Sequence, residues 1–330
     1  MFIDELKKKV VGKGVKIVFT EGEDSRIQEA AFELWRDDVC VPILLGDPDK
    51  IREASAARRM DLSPVEIIDP KHYEDIEPMV QEMIKLRKGK MTEEQVREKI
   101  LHANYFGTML VKMGKADGLL GGATYSTADT VRPALQLIKA APGNKGVSSC
   151  FLLTKDIPVA NSVSQIIMSD CGIVIEPDAD QLTEIAIQAA RSMRQFGGDP
   201  VVALLSYSTN GSAGGDDVEK MKQVKKNLTD LHVDFPFDGE MQFDCAIVPD
   251  VAEKKFPESK VAGHANTFIF PNLSAGNIGY KIAARLGGYE AMGPILQGLN
   301  APINDLSRGC NADEVYDMAI VTATQKLFFE

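Results

Sequence analysis

The sequence lacks the short motifs that identify several common classes of enzyme. Its 330 residues contain no GxGxxG, no GxxxxGK(S/T) and no GxSxG. These absences argue against a dinucleotide fingerprint, a P-loop and a nucleophile elbow. The chain has only four histidines, and their positions show no metal-ligand spacing. We therefore expect neither a metal site nor a nucleotide cofactor.

The chain also lacks a disulfide framework and long apolar segments. Its five cysteines are odd in number and widely spaced, with no CxxC, which is typical of reduced thiols in the cytosol. No run of about 18 apolar residues occurs, and the opening MFIDELKKKV carries acidic residues early. We therefore expect a cytoplasmic protein with neither a signal peptide nor a membrane span.

Positive charge is scarce. The 37 lysines and arginines face 48 aspartates and glutamates, so the net charge is −11 and the pI is about 5.0. Such a surface repels nucleic acid and anionic membranes, and we expect neither as a partner. An anionic substrate would need a local cluster of basic side chains against this background.

Apolar strands alternate with amphipathic helices along the chain. The predicted strands include GVKIVF, VPILLGD and VEIIDP, and later SSCFLLT, GIVIEP and PVVALLSYS. This alternation predicts βαβ units with a parallel sheet, in an α/β protein. The length favours two domains, and the turn-rich APGNK at 141–145 is a candidate boundary. Ligands of such folds bind at the carboxyl ends of strands, where the loop TEGED (20–24) lies.

The stretch NDLSRGCNADEV (304–315) precedes the last predicted helix. Asn311 is a good N-cap, Glu314 completes a capping-box pattern, and Asp313 suits the positive end of the helix dipole. A helix start does not account for Ser307 and Arg308, which come before it. An arginine beside a helix N-terminus can form an anion site. The stretch is therefore either a helix start alone or part of a reacting centre.

Two further segments are candidates for holding an anion. In YSTADTVRPALQ (125–136), Ser126 and Thr127 begin a predicted helix and Arg132 follows in its first turns. Their place after the strand ADGLLGG favours a phosphate cradle, although a Ser/Thr cap with an exposed arginine is the commoner meaning of such a string. In LRKGKMT (86–92), Arg87 begins a basic cluster that is either a solvated turn or a contact to a polyanion.

Several of these segments, in this order, resemble one family. The motifs are NYFGTMLVKMGKADGLL, YSTADTVRPALQ, DGEMQFDCAIVP, GNIGYKIAARLGG, GPILQGLN and PINDLSRGC. Together they resemble the phosphate acetyltransferases of the phosphate acetyl/butyryltransferase family. The resemblance covers about residues 15–325, and an ordered set of motifs is far more specific than any one of them.

The resemblance implies a reaction and a fold. The reaction is acetyl-CoA plus phosphate giving acetyl phosphate plus CoA, by direct attack of the CoA thiolate in a ternary complex. CoA and acetyl-CoA enter as substrates, and no tightly bound cofactor is expected. The fold is two α/β domains flanking a cleft, akin to isocitrate/isopropylmalate dehydrogenases. Domain I would be 1–141 plus 297–330, and domain II, 142–296, would carry the homodimer interface.

The resemblance also implies roles for particular residues. Ser307 and Arg308 are the SRG pair of the active site, and the general base is a carboxylate seven residues after the serine. That position, normally aspartate in the family, is Glu314 here, and Asp313 precedes it as the alternative base. The residues implied to bind substrate are Arg87, Ser126, Thr127, Arg132 and Gly298.

Other functions stay open at this point. Phosphate butyryltransferase performs the same chemistry on a longer acyl chain. A non-catalytic sensor of acyl-CoA or acetyl phosphate would share the fold, but it would not need the SRG and TVRP motifs. A metal- and NAD-dependent decarboxylating dehydrogenase of the same fold would need a cluster of metal-binding aspartates, which the sequence does not provide.

Overall fold

The computed structural model describes residues 2–156 and 164–328. The chain forms two compact units. Unit 1 comprises Ile3–Pro142 together with Leu299–Glu330, and unit 2 comprises Gly143–Gly298.

Strands and helices alternate through both units. The strands are β1 Lys16–Phe19, β2 Val41–Leu45, β3 Glu66–Ile68, β4 Gly118–Gly121, β5 Ser148–Thr154, β6 Gln165–Ser169, β7 Val202–Leu205, β8 Phe237–Met241, β9 Thr267–Ile269, β10 Glu290–Gln297 and β11 Ile303–Asp305. The helices are α1 Phe2–Val10, α2 Ser25–Arg36, α3 Pro48–Ala57, α4 Ile76–Arg87, α5 Glu93–Lys99, α6 Ala103–Lys112, α7 Thr127–Pro133, α8 Ala179–Gln195, α9 Asp216–Asp230, α10 Phe243–Ile247, α11 Pro249–Lys255, α12 Leu273–Arg285 and α13 Ala312–Phe328. One π-helical turn, Ala134–Ile138, follows α7.

Unit 1 is built on a five-stranded parallel sheet. The strand order is β11-β4-β1-β2-β3, so the strand nearest the end of the chain returns to pair with β4. In β1, Ile17, Val18 and Phe19 are all fully buried. A strand buried on both faces needs a continuous apolar run rather than an alternating one, which is what the sequence has here.

The last helix, α13, is anchored to unit 1 against α2. The Tyr316 hydroxyl donates to a carboxylate oxygen of Asp37 at 2.8 Å, and the Lys7 ammonium donates to the same oxygen at 2.8 Å. Asp37 follows directly after α2. This shared carboxylate ties α1, α2 and α13 together, and it thereby fixes the loop that precedes α13.

Unit 2 is built on a six-stranded mixed sheet with the order β10-β5-β6-β9-β7-β8. β5 runs antiparallel to both of its neighbours, while the pairs from β6 to β8 are parallel. The apolar core of unit 2 includes Phe268 of β9, and the Phe151 ring stacks on Tyr280 with centroids 3.7 Å apart.

The prediction of a strand at GIVIEP was wrong. The backbone N–H groups of Gly172, Ile173 and Val174 donate to the carboxylate of Asp170, at 2.8, 3.1 and 3.1 Å. A segment whose N–H groups wrap around one carboxylate cannot supply them to a strand ladder. The strand at this place in the sheet is β6, which ends directly before Asp170.

Gln297 and Gly298, which we expected at the start of the returning segment of the first domain, lie in unit 2. β10 pairs with β5 as far as Gln297. The Gln297 amide nitrogen donates to the Ser192 hydroxyl at 2.6 Å, and its oxygen accepts from the hydroxyls of Ser148 and Ser169 at 3.1 and 3.0 Å. These buried hydrogen bonds hold the end of β10 in the second sheet.

Candidate functional site

Three loops of unit 1 meet at the carboxyl edge of its sheet. They follow β1, β4 and β11, and β4 lies between the other two strands. The N–H of Leu306 donates to the carbonyl of Gly121 at 2.6 Å, and the hydroxyls of Thr20 and Tyr125 lie 2.5 Å apart. Parallel strands deliver their following loops to one edge, so residues distant in the chain become neighbours here.

A buried carboxylate, Asp305, joins the end of β11 to α7, the helix that follows the loop after β4. Its two oxygens accept from the hydroxyls of Thr127 and Thr130, both at 2.6 Å. Burial raises the pKa of Asp305 from 3.8 to about 6, although the two hydrogen bonds act in the opposite direction. Sequence reasoning missed Asp305; its place at the carboxyl end of a strand was the available signal.

A second acidic side chain, Glu21, holds the loop after β4. Its carboxylate accepts from the N–H groups of Gly122 and Thr124 at 3.1 and 2.9 Å and from the Thr20 hydroxyl at 2.9 Å. Burial raises the pKa of Glu21 despite these bonds. Gly122 has φ +103°, and a Cβ on it would collide with the carboxylate of Asp305. Only glycine fits between the two carboxylates.

Arg26 is a further residue that the sequence prediction missed. Its guanidinium donates to the carbonyl of Ala123 at 2.9 Å and to those of Arg308 and Cys310 at 3.0 and 2.9 Å. It therefore joins the loop after β4 to the loop after β11. The only sequence signal was its proximity to TEGED (20–24), at the carboxyl end of β1.

Ser307 and Arg308 are exposed on the loop after β11. The Ser307 hydroxyl oxygen accepts from the N–H of Gly309 at 3.2 Å. No carboxylate among the described residues forms an ion pair with the Arg308 side chain. The guanidinium of Arg308 is therefore available to an anion from solution.

The start of α13 has the capping box that the sequence predicted. The N–H of Glu314 donates to the Asn311 side-chain oxygen at 2.8 Å, and the Glu314 carboxylate accepts from the Asn311 N–H at 3.1 Å. Asp313 and Glu314 are both exposed in this first turn. One carboxylate oxygen of Glu314 is engaged, and the cap holds this side chain beside the loop 307–311.

Cys310 lies in the same loop but is buried. Burial raises the pKa of its thiol to about 11, against the opposing effect of Arg26. The thiol is therefore protonated at neutral pH and is a poor nucleophile.

The hydroxyls at the start of α7 are used within the protein. Ser126 is the N-cap, and its hydroxyl donates to the Asp129 carboxylate at 2.7 Å. The hydroxyl of Thr127 donates to Asp305. Each oxygen can still accept a hydrogen bond, so these residues can contact a donor on a ligand.

Arg87 and Arg132 both lie close enough to Tyr105 for their charges to act on it. Burial raises the pKa of Tyr105, and the positive charges of Arg132 and Arg87 partly oppose this rise. Nε of Arg87 is buried and has no hydrogen-bond partner among the described residues. Arg132 is exposed, and the Lys99 ammonium lies 5.4 Å from the centroid of the Tyr105 ring. The structure thus concentrates positive charge at one place on an acidic chain.

Gly298, the last residue of unit 2, has a structural reason to be glycine. Its φ is +81°, and a Cβ would lie 2.5 Å from the Gln188 amide nitrogen and 2.7 Å from the Gly146 carbonyl. Its own carbonyl accepts from the Asn144 side chain at 3.0 Å. Close backbone packing inside unit 2 accounts for this residue.

Within residues 2–156 and 164–328, no group of three or more His, Cys, Asp or Glu side chains could hold a metal ion. No helix in the same ranges combines the length and the apolar character needed to cross a bilayer.

Comparison with known proteins identifies relatives along the whole chain. The family model described as "Phosphate acetyl/butaryl transferase" matches residues 1–323. The phosphate acetyltransferase of Bacillus subtilis (strain 168) is 51% identical over 322 residues, which cover 98% of both chains.

Two solved structures share the fold at similar identity. The EutD phosphotransacetylase from Staphylococcus aureus is 50% identical, with a TM-score of 0.90 over 98% of both chains. A phosphotransacetylase from Streptococcus pyogenes is 46% identical, with a TM-score of 0.94 over 99% of this chain and 98% of that one.

These matches confirm the predicted resemblance and the two-domain α/β fold class. The family model alone spans nearly the entire length. The chain belongs to the phosphate acetyl/butaryl transferase family.

Proposed function

We propose that this chain catalyses the reversible transfer of an acetyl group between CoA and inorganic phosphate. It is an acyltransferase, and the reaction is acetyl-CoA plus phosphate giving acetyl phosphate plus CoA. The observation that carries the proposal is 51% identity, over 98% of both chains, to a protein named phosphate acetyltransferase.

Arg308 is proposed to bind the phosphoryl group. Its guanidinium is exposed and has no carboxylate partner among the described residues. A guanidinium can donate two parallel hydrogen bonds to phosphate, and its charge opposes the growing charge on the leaving phosphate. One well-placed donor of this kind contributes about 3 kcal/mol to transition-state stabilisation.

Glu314 is proposed as the general base. Asp313 is the alternative, and the variants Glu314→Gln and Asp313→Asn distinguish the two. The capping bond from Asn311 holds the Glu314 carboxylate next to the loop that carries Ser307 and Arg308. A carboxylate in that place can take the proton from the CoA thiol. A positioned base contributes about 10²–10⁴-fold to the rate.

The proposed step is a direct displacement. The thiolate sulfur of CoA attacks the carbonyl carbon of acetyl phosphate, the new C–S bond forms, and the C–O bond to phosphate breaks. The proton from the thiol passes to Glu314, and Ser307 donates a hydrogen bond to the carbonyl oxygen as negative charge develops there. Phosphate leaves with the electron pair of the broken bond.

CoA is proposed to bind as a substrate through Arg87 and Arg132. Both guanidinium groups lie near Tyr105, and Nε of Arg87 is buried without a partner among the described residues. The phosphate groups of CoA would provide acceptors at this place. Ser126 and Thr127 would contact the substrate from the start of α7. Gly298 is proposed as a substrate-binding residue only because it belongs to the motif GPILQGLN.

Purified protein with acetyl-CoA and phosphate, assayed for thiol release, tests the overall reaction. Acetyl phosphate with CoA tests the reverse direction. We expect turnover in both directions and a higher kcat/KM for acetyl-CoA than for butyryl-CoA. A preference for butyryl-CoA would make the chain a phosphate butyryltransferase, and absence of turnover would favour a non-catalytic sensor.

The pair Glu314→Gln and Asp313→Asn identifies the base. Glutamine at position 314 can still accept from the Asn311 N–H, so the cap survives while the base is lost. We expect Glu314→Gln to lower kcat by about 10²–10⁴-fold and Asp313→Asn to lower it far less. The reverse pattern would assign the role to Asp313.

Arg308→Ala tests the proposed phosphate contact, with the exposed Arg52→Ala as its control. We expect Arg308→Ala to lose most of kcat, by about 10²–10³-fold, while the control retains wild-type turnover. Near-normal turnover of Arg308→Ala would remove this residue from the chemistry.

A homodimer through unit 2 is proposed from an apolar stripe on α12 and the residue after it. Ile278, Ile282 and Leu286 follow at four-residue spacing and are 59%, 53% and 86% exposed. Three such residues on one helix face are typical of a surface that another chain covers. We expect Ile278→Glu with Ile282→Glu to convert a dimer into a monomer in sedimentation velocity. Leu231→Glu, directly after α9, should leave the dimer intact. A monomeric wild-type chain would contradict the proposal.

A cytosolic location is proposed from the cysteines. All five are free thiols, which suit a reducing compartment.

A further inference from the structure

Arg26, the second residue of α2, uses every N–H of its guanidinium inside the protein. Nε and Nη2 donate to the two carboxylate oxygens of Asp24 at 3.0 and 2.8 Å. The remaining Nη2 hydrogen reaches the Ala123 carbonyl at 2.9 Å. The two Nη1 hydrogens reach the carbonyls of Arg308 and Cys310 at 3.0 and 2.9 Å. A guanidinium has five N–H donors, and these bonds occupy all five.

The three carbonyls belong to two different loops. Ala123 follows β4, whereas Arg308 and Cys310 flank Gly309 in the loop after β11. Asp24 fixes the plane of the Arg26 guanidinium and also caps α2 by accepting from the Arg26 N–H at 2.9 Å. The rigid helix α2 therefore holds both loops through one planar group.

Arg26 differs from Arg308 because every N–H group of its guanidinium is already hydrogen-bonded within the protein. An arginine with all N–H groups engaged has none left for a phosphate oxygen, whereas Arg308 has a guanidinium without a carboxylate partner among the described residues. Arg26 thus contacts the backbone that carries Arg308 rather than any ligand.

We infer that Arg26 is a positioning residue of the transfer reaction. It sets the path of the backbone 308–310, and hence the place of the Arg308 guanidinium relative to the loop after β4. The inference rests on the proposed function, because it assigns Arg308 to the reacting phosphoryl group. Replacing Arg26 should therefore lower kcat with little change in KM, because the replacement removes no bond between Arg26 and a substrate.

The size of the loss follows from geometry. Without Arg26 the carbonyls of Ala123, Arg308 and Cys310 lose their donor, and the loop after β11 can shift. A displacement of about 1 Å in a reacting group lowers the rate by about 100-fold. Lysine keeps the charge but places its donors on a single nitrogen, so it cannot reach both loops as the planar fork does.

The experiment compares Arg26→Ala and Arg26→Lys with Arg58→Ala as a matched control. Arg58 also donates to backbone carbonyls in unit 1, those of Ser25 and Ala54 at 3.0 and 3.2 Å. It donates as well to the side-chain oxygen of Gln28 on α2, and among the described residues it reaches neither the loop after β4 nor the loop after β11. We expect kcat to fall about 100-fold in Arg26→Ala and clearly in Arg26→Lys, with KM for CoA and phosphate within about twofold. Millimolar guanidinium chloride should restore part of kcat in Arg26→Ala and leave Arg58→Ala unchanged.

The outcomes separate the two proposals. A wild-type chain without acyl transfer overturns the proposed function. An active wild-type chain whose Arg26→Ala variant matches Arg58→Ala in kcat overturns the role of Arg26 alone. A raised KM with normal kcat would make Arg26 a substrate contact, also against the inference. If Arg26→Ala fails to fold, Arg26→Lys decides: wild-type kcat in that variant shows that the planar fork is not needed.

Discussion

Asp305→Asn should change how the stability of unit 1 depends on pH. The carboxylate of Asp305 is 1% exposed and has no cationic partner among the described residues. Its hydrogen bonds come from the neutral hydroxyls of Thr127 and Thr130. Burial without a compensating charge disfavours the ionised form and raises the pKa to about 6.

The direction of the effect follows from proton binding. Below pH 3.8 the carboxyl is protonated in both the folded and the unfolded chain, and above about 6 it is ionised in both. Between these values the folded chain holds the proton more tightly, so the free energy of unfolding falls as the pH rises. The difference between 3.8 and about 6 corresponds to about 3 kcal/mol.

Asparagine does not titrate, so Asp305→Asn removes this contribution. We expect the variant's free energy of unfolding, relative to that of the wild type, to rise by about 2 kcal/mol between about pH 4.5 and 7.5. Glu21 titrates in both proteins and largely cancels in the comparison. Urea unfolding followed by the fluorescence of Trp35 measures the effect, because the chain's single tryptophan lies on α2 of unit 1.

Asp37→Asn provides a control of opposite sign. The Lys7 ammonium, helped by the Tyr316 hydroxyl, lowers the pKa of Asp37 to about 2. Stability from Asp37 is therefore present above its ordinary pKa and lost only as the pH falls towards about 2. The free energy of unfolding of Asp37→Asn, relative to that of the wild type, should therefore be nearly constant between about pH 4.5 and 7.5. Parallel curves for Asp305→Asn and the wild type would refute the argument from burial.

Three further predictions follow from the same loops. Asn311→Ala removes the acceptor for the Glu314 N–H and should lower the free energy of unfolding by about 1 kcal/mol, measured by urea unfolding; an unchanged midpoint would contradict the capping role. Gly122→Ala forces a Cβ against Asp305 at φ +103° and should lower the free energy of unfolding by about 1–3 kcal/mol; wild-type stability would show that the loop relaxes freely. Cys310 should react slowly with a thiol reagent at pH 7.5 and faster as the pH rises towards its pKa of about 11; rapid labelling of the folded chain at neutral pH would contradict its burial.

The sequence by itself was enough for the family and for local features. Ordered motifs along the chain predicted the fold class, which the comparisons confirmed. The Asn311–Glu314 capping box was predictable because its two partners are three residues apart on one helix turn. Patterns that depend on neighbours in the chain are visible in a sequence because the backbone geometry between them is fixed.

The tertiary structure alone decided which distant residues support the loops at the sheet edge. Arg26 donates to a carbonyl 282 positions away, and Asp305 binds the hydroxyl of Thr127 across 178 positions. The wrong prediction of a strand at GIVIEP has the same cause. An apolar pattern does not reveal that the N–H groups of this segment donate to the Asp170 carboxylate. Such contacts form only when the order of strands in a sheet brings remote segments together, and spacing along the chain does not encode that order.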